Sequence, residues 1–174
     1  MKATGIVRRI DDLGRVVIPK EIRRTMRIRE GEPMEIFTEA GGSVIFRKYS
    51  PAGEQSAMAA DLCEALFRTS GRPAVICDRD GIVAAAGPRR KELENRPLSP
   101  GLESLLRTRQ VQKPVPPVPV TQGVSGAGAA LLVPLAAGGD VCGCVALLEG
   151  NTPLGEGETR LLQAAALFFS RQME

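Results

Sequence analysis

The chain has 174 residues, 23 basic and 20 acidic side chains, a formal net charge of +3 and no histidine. The missing histidine removes Ser–His and Cys–His nucleophile pairs and His-ligated metal or haem, and no phosphate-cradling glycine loop ends in Lys-Ser/Thr, so neither an enzyme nor a cofactor is expected. No run approaches the roughly 20 apolar residues of a membrane span, and Arg8 and Arg9 interrupt the N-terminal stretch before it could act as a signal-peptide core, so a cytoplasmic protein without membrane contact is expected.

Taken in order, Ala3 to Ile10 reads as a strand, Asp11-Asp12-Leu13-Gly14 as a turn and Val16 to Ile18 as a second strand. Pro19 stops that strand, because proline has no N–H to give, and it starts a helix well. Lys20 to Met26 reads as a short helix with Ile22 and Met26 on one face. Met34 to Thr38 and Ser43 to Lys48 form a hairpin joined through Gly41-Gly42. Residues 1–29 hold nine basic side chains (Lys2, Arg8, Arg9, Arg15, Lys20, Arg23, Arg24, Arg27, Arg29) against three acidic ones (Asp11, Asp12, Glu21), a net +6, whereas residues 30–174 sum to −3. So lopsided a charge is the footprint of a polyanion-binding module, and seven of the nine are arginine, which suits bidentate phosphate and guanine contacts. About 50 residues bury too little surface to be stable alone, so this piece calls for a second copy.

The stretch from Met1 to Arg24, centred on Asp12-Leu13-Gly14-Arg15-Val16-Val17-Ile18-Pro19-Lys20-Glu21-Ile22-Arg23-Arg24, resembles the DNA-binding domain of the AbrB-type transition-state regulators. The resemblance runs nearly continuously over residues 1–50. It implies a swapped-hairpin β-barrel that dimerises through residues 1–50 and binds double-stranded DNA. It also implies control of sporulation genes, by activation or repression. In the family, arginines at the positions of Arg8, Arg15, Arg23 and Arg24 face DNA, and all four are present.

Tyr49 to Gly53 has boundary composition, with 51–55 expected as a linker and 56–174 as a second domain. Residues 54–69 read as a helix on the spacing of Met58, Leu62, Ala65 and Leu66, stopped by Gly71-Arg72-Pro73. Ala74 to Cys77 and Ile82 to Ala86 form a hairpin about Asp78-Arg79-Asp80-Gly81. Gly87 to Pro100 reads as loop and Gly101 to Gln110 as helix. Lys113 to Pro119 cannot be a central strand and serves as an extended connection or a sheet edge. Ala127 to Leu135 and Val141 to Leu148 are apolar strands about a Gly-rich loop. Glu156 to Met173 is a last helix whose Leu161, Leu162, Ala165, Leu167, Phe168 and Phe169 cover more than one stripe. This order resembles a GAF domain, giving an α+β fold overall. One apolar direction of the last helix is expected on its own sheet and the other on a second subunit, joining dimers into a homotetramer; the alternative is one broad face against a single sheet. Of the cysteines, Cys142 and Cys144 are two apart in a strand and expected on one face; no pairing has metal-ligand spacing, and buried reduced thiols are expected.

The reading these observations favour is a DNA-binding transcription regulator. The alternative is an antitoxin that shares the swapped-hairpin fold and neutralises a toxin. Such proteins usually continue into a disordered tail, where this chain continues into a folded domain. An acid–base pair at Asp78 and Asp80 is outweighed by their place in a turn. A pocket over the GAF-like sheet is open to two readings, a sensor for an unidentified small molecule or a purely structural core.

Overall fold

A computed structural model describes residues 4–174; Met1, Lys2 and Ala3, with the start of the first expected strand and one of the nine basic side chains, lie outside the described residues. The chain divides between Tyr49 and Ser50 into two compact units. Together they are an α+β, two-domain protein.

In the N-terminal unit, helix α1 spans Lys20–Thr25, strand β1 Met34–Thr38 and strand β2 Val44–Lys48. Pro19 stands at the N-cap of α1, and its carbonyl accepts the Arg23 N–H at 3.0 Å. β1 and β2 pair antiparallel from Met34↔Lys48 to Thr38↔Val44. The two strands expected at Ala3 to Ile10 and Val16 to Ile18 are not formed among the described residues. The cause is physical: a strand exists by the ladder it makes, and in the single chain β1 and β2 use each other. Residues 4–18 therefore keep apolar side chains in solvent, with Val7, Ile10, Leu13 and Val17 each at least 70% exposed. Among the described residues of this unit only Pro19 is buried.

The C-terminal unit has helices α2 (Pro51–Glu54), α3 (Ser56–Ser70), α4 (Arg90–Leu93), α5 (Pro100–Leu106) and α6 (Glu156–Gln172). Its strands are β3 (Ala74–Asp78), β4 (Ile82–Ala86), β5 (Val118–Pro119), β6 (Gly128–Ala137) and β7 (Asp140–Leu148). They form one antiparallel sheet in the order β4-β3-β7-β6-β5. The proline-rich stretch ends in β5 at the sheet edge, where missing N–H donors cost least.

Both sheet faces are covered, so the central strands are apolar on both sides. Ile76, Leu131, Val145 and Leu147 meet α3 and α6 through Cys63, Leu66, Leu162 and Phe169. Val75, Leu132, Ala146 and Leu148 meet Leu93 of α4 and Leu102 and Leu106 of α5. Both clusters are built from the chain's own buried side chains.

Three expectations need correction. Residues 51–55 are not a free linker: Ser50 caps α2 by accepting the Gly53 N–H at 3.0 Å, and Ala52 is fully buried. Gly87 to Pro100 is not plain loop, because burial of Leu93 and Leu98 nucleates the turn of α4. Cys142 and Cys144 do not share a face: the β6–β7 register slips between Leu135↔Gly143 and Ala136↔Val141, so Cys142 bulges toward Met173 while Cys144 packs on the opposite side. A Cβ at Gly143 would fall on the Cys77 carbonyl, which explains glycine there. All four thiols are free. Burial pushes Cys63 up to about 12, and the hydrogen bond of the protonated Cys77 thiol to Cys144, with burial, raises Cys77.

At the start of α6, Glu158 Oε2 accepts the Gly155 N–H at 2.9 Å and Oε1 lies 3.7 Å from Nε of buried Arg72. Arg72 also donates through Nη2 to the Thr152 carbonyl. The helix thus enters over the sheet tied at its N-terminus. Farther along, Leu162, Ala165, Ala166 and Phe169 are buried while Leu167 and Phe168 are 64% and 54% exposed. Phe169→Ala should lower stability by about 3–5 kcal/mol, the usual cost of emptying a filled aromatic site. Gln163→Ala on the exposed side should stay within about 0.5 kcal/mol. Urea denaturation of the two variants checks both.

Candidate nucleic-acid interface

Among the described residues, Lys20 and the arginines of the N-terminal unit are exposed. Arg8 sits in the extended N-terminal stretch and is exposed; its Nη1 donates to the Val7 carbonyl at 3.4 Å. Arg23 and Arg24 occupy the last turn of α1 and are exposed. Consecutive helical residues point about 100° apart, so the pair addresses two directions from one helix. The segment after α1 is tied down locally. Arg27 has φ of 52°, and its carbonyl accepts from Lys48 Nζ at 2.9 Å. The Arg29 N–H donates to Glu32 Oε2 at 2.7 Å. Arg47 lies over the Phe37 ring, 4.7 Å from its centre, so its cationic face is already engaged.

Arg15 stands at the end of a closed turn. The Asp11 N–H donates to the Arg15 carbonyl at 3.0 Å, and the Gly14 N–H to the Asp11 carbonyl at 3.0 Å. Gly14 has φ of 76°, which a side chain would resist. Asp11 Oδ1 accepts the Leu13 N–H at 3.1 Å and the Arg15 N–H at 2.7 Å, and Oδ2 accepts Arg15 Nε at 2.8 Å. These contacts, the Arg15 backbone bond first, hold the Asp11 carboxyl below its ordinary range. The ion pair is solvated, with the Arg15 and Asp11 side chains 70% and 38% exposed.

Of the four arginines expected to face DNA, the structure brings Arg23 and Arg24 together on α1 and places Arg8 and Arg15 on either side of the Asp11–Gly14 turn, all exposed. Sequence reasoning passed over Asp11. Its signal was present as an aspartate opening a turn and a carboxylate four residues before an arginine. A solvated basic surface of this kind can hold a polyanion, because exposed guanidinium groups release counterions when they meet phosphates.

Comparison with known proteins agrees with this division of the chain. The family model described as stage V sporulation protein T C-terminal, transcription factor, matches residues 54–174. The model described as antidote-toxin recognition MazE, bacterial antitoxin, matches residues 7–54. Stage V sporulation protein T of Bacillus subtilis (strain 168) is 44% identical over 177 residues, covering 100% of this chain and 99% of that protein. The transition state regulatory protein AbrB of the same organism is 53% identical over 51 residues, covering 29% of this chain and 52% of that protein. The solved type II free methionine-R-sulfoxide reductase from Thermoplasma acidophilum covers 70% of this chain and 94% of its own with a TM-score of 0.53 at 10% identity, a likeness of fold alone. By its full-length identity and its matched C-terminal unit, the chain belongs to the stage V sporulation protein T family of transcription factors.

Proposed function

We propose that the chain is a sporulation-type transcription regulator that binds double-stranded DNA through Arg8, Arg15, Arg23 and Arg24, acting from a dimer built on residues 1–50. The observation that carries this is the coincidence of a net +6 over residues 1–29 with a unit in which only Pro19 is buried among the described residues. The charge supplies the attraction to phosphate, and the missing core supplies the reason for two copies. Val7, Ile10, Leu13, Val17, Ile36 and Val44 are all exposed and apolar. A second copy interleaved with the first would bury them and complete the strands that residues 4–18 leave unpaired. Location in the cytoplasm fits such a partner. Among the described residues no helix is long and apolar enough to cross a membrane.

The antitoxin reading rests on the match to residues 7–54. Beyond those residues the chain folds into a five-stranded sheet with both faces covered. A folded unit, and not a toxin-binding tail, directly follows the matched residues, so the regulator reading is preferred.

For the C-terminal unit the proposed role is assembly. Leu167 and Phe168 give α6 an apolar direction away from its sheet, which a second subunit would cover to make a tetramer. A small-molecule signal has open clefts at the unit's surface to use, such as one of about 490 Å³ lined by Ser56, Asp80, Asn95 and Arg96.

Changing Arg8, Arg15, Arg23 or Arg24 to Ala should cost about 1–3 kcal/mol where the side chain reads a base, or lower the salt slope by about one where it meets phosphate. Unchanged affinity and slope for all four would remove the assignment. A fragment of residues 1–50 should melt at a temperature that rises with protein concentration; a concentration-independent melt with a monomeric mass contradicts the shared core. Phe168→Asp should split tetramers into dimers by light scattering while circular dichroism stays that of the parent, because the substituted side chain lies outside the core. A parent that is already dimeric, or a variant that stays tetrameric, refutes the role of α6.

A further inference from the structure

We propose that Asp11 is a positioning residue for DNA recognition: it holds Arg15 by one edge and aims the rest of the guanidinium outward. This rests on the reading of Arg15 as a DNA contact and adds to it a second residue of opposite charge.

Every polar group of Asp11 is engaged. Its N–H, its carbonyl and both carboxylate oxygens all bond within residues 11–15. Oδ1 gathers the N–H groups of Leu13 and Arg15, so it shapes the backbone, while Oδ2 takes Arg15 Nε, so it shapes the side chain. One residue therefore sets both the place of the Arg15 Cα and the direction of its side chain.

The guanidinium is a planar fork with separate edges. Asp11 engages the Nε edge at 2.8 Å. The edge formed by the two Nη groups is the one suited to the O6 and N7 of a guanine or to two phosphate oxygens. Arg15 stays 70% exposed in the pair, so the contact does not bury the group it orients. An arginine already held in its binding rotamer loses less freedom on meeting DNA than a free one, and the gain appears in affinity for a matching site.

Simple electrostatics gives the opposite sign. Asp11 is a negative charge in a unit whose first 29 residues carry +6, and removing it should strengthen attraction to any phosphate backbone. Asp12, the next residue, carries the same charge and takes no part in the Arg15 contacts. Asp12→Asn is thus the charge-matched control. Asp11→Asn keeps an oxygen for the Leu13 and Arg15 N–H groups and removes the ion pair.

The experiment uses the full chain and two probes, a duplex selected by the parent protein from a random pool and a mixed-sequence duplex. Circular dichroism and light scattering confirm the fold and mass of each variant. Asp11→Asn should weaken binding to the selected duplex about tenfold while leaving or strengthening binding to the mixed one. Asp12→Asn should weaken neither. In an Arg15→Ala background Asp11→Asn should cause no further loss, because its effect passes through Arg15. Arg15→Lys, which leaves Asp11 in place but lacks the fork, should lose preference for the selected duplex and keep its salt slope. That last variant carries the proposal should Asp11→Asn fail to fold. The proposal is overturned if Asp11→Asn behaves as Asp12→Asn does, or if its loss persists undiminished without Arg15. If Arg15→Ala binds the selected duplex as the parent does, the DNA role of Arg15 fails first and this proposal with it.

Discussion

A strand needs a ladder partner and a covered apolar face, and the two units of this chain stand on opposite sides of that constraint. The C-terminal unit satisfies it internally: five strands pair in one sheet, α3 and α6 cover one face, and α4 and α5 with their loops cover the other. The N-terminal unit does not. Its only ladder among the described residues is the β1–β2 hairpin, and a lone two-stranded hairpin is marginal in water. The apolar side chains of residues 4–18 have the pattern of strands and no ladder to join. The proposed dimer answers this deficit, and it places the basic face on the part of the chain that gains its structure from a partner.

That contrast also decides what could be read from sequence. The hairpins about Asp78–Gly81 and Gly138-Gly139, the edge position of the proline-rich stretch and the span of α6 were all legible, because each is set by local pattern and turn chemistry. Residues 4–18 carry the alternation of strands but form none in the single chain, because strand formation is a property of a pair, which one segment's pattern cannot supply. The α4 turn was missed because two leucines in a polar run, Leu93 and Leu98, are too few to make a period. The Cys142 bulge was invisible for another reason: it comes from a register slip between strands, while strict alternation assumes none. In the candidate interface the basic excess was legible from charge, while the choice of Arg8, Arg15, Arg23 and Arg24 came from the family resemblance. Asp11 was not singled out, because a carboxylate in a basic stretch reads first as a subtraction from net charge.

The packing of the C-terminal sheet bears on how such a regulator could respond to its surroundings. Cys63 and Cys77 are buried with raised pKa, which keeps them as protonated, poorly reactive thiols at neutral pH. The space between the sheet and α5 is occupied by Leu102, Leu106, Val120 and Leu132. A ligand entering there would have to displace well-packed side chains, at a cost that grows with every methylene moved. The surface of α6 carries no such penalty. Leu167 and Phe168 are already in solvent, so a change in what covers them could alter assembly without disturbing the fold.

Under the proposed role, assembly matters to DNA binding because exposed charge on one copy attracts any phosphate backbone and does not by itself choose a sequence. Charges on a solvated surface are screened over about 8 Å at physiological salt, so one copy's exposed basic side chains act only at short range. Affinity from such a surface is raised either by adding charges, which strengthens binding to every sequence alike, or by joining copies of the surface at a fixed separation. The second route discriminates, because only DNA of the right length and bend lets all copies engage. A well-packed C-terminal unit with one apolar direction to spare is suited to fixing that separation. A turn that sets the direction of an arginine is suited to the same purpose at the scale of a single contact. In both, selectivity comes from geometry imposed on charges whose attraction to phosphate is by itself indifferent to sequence.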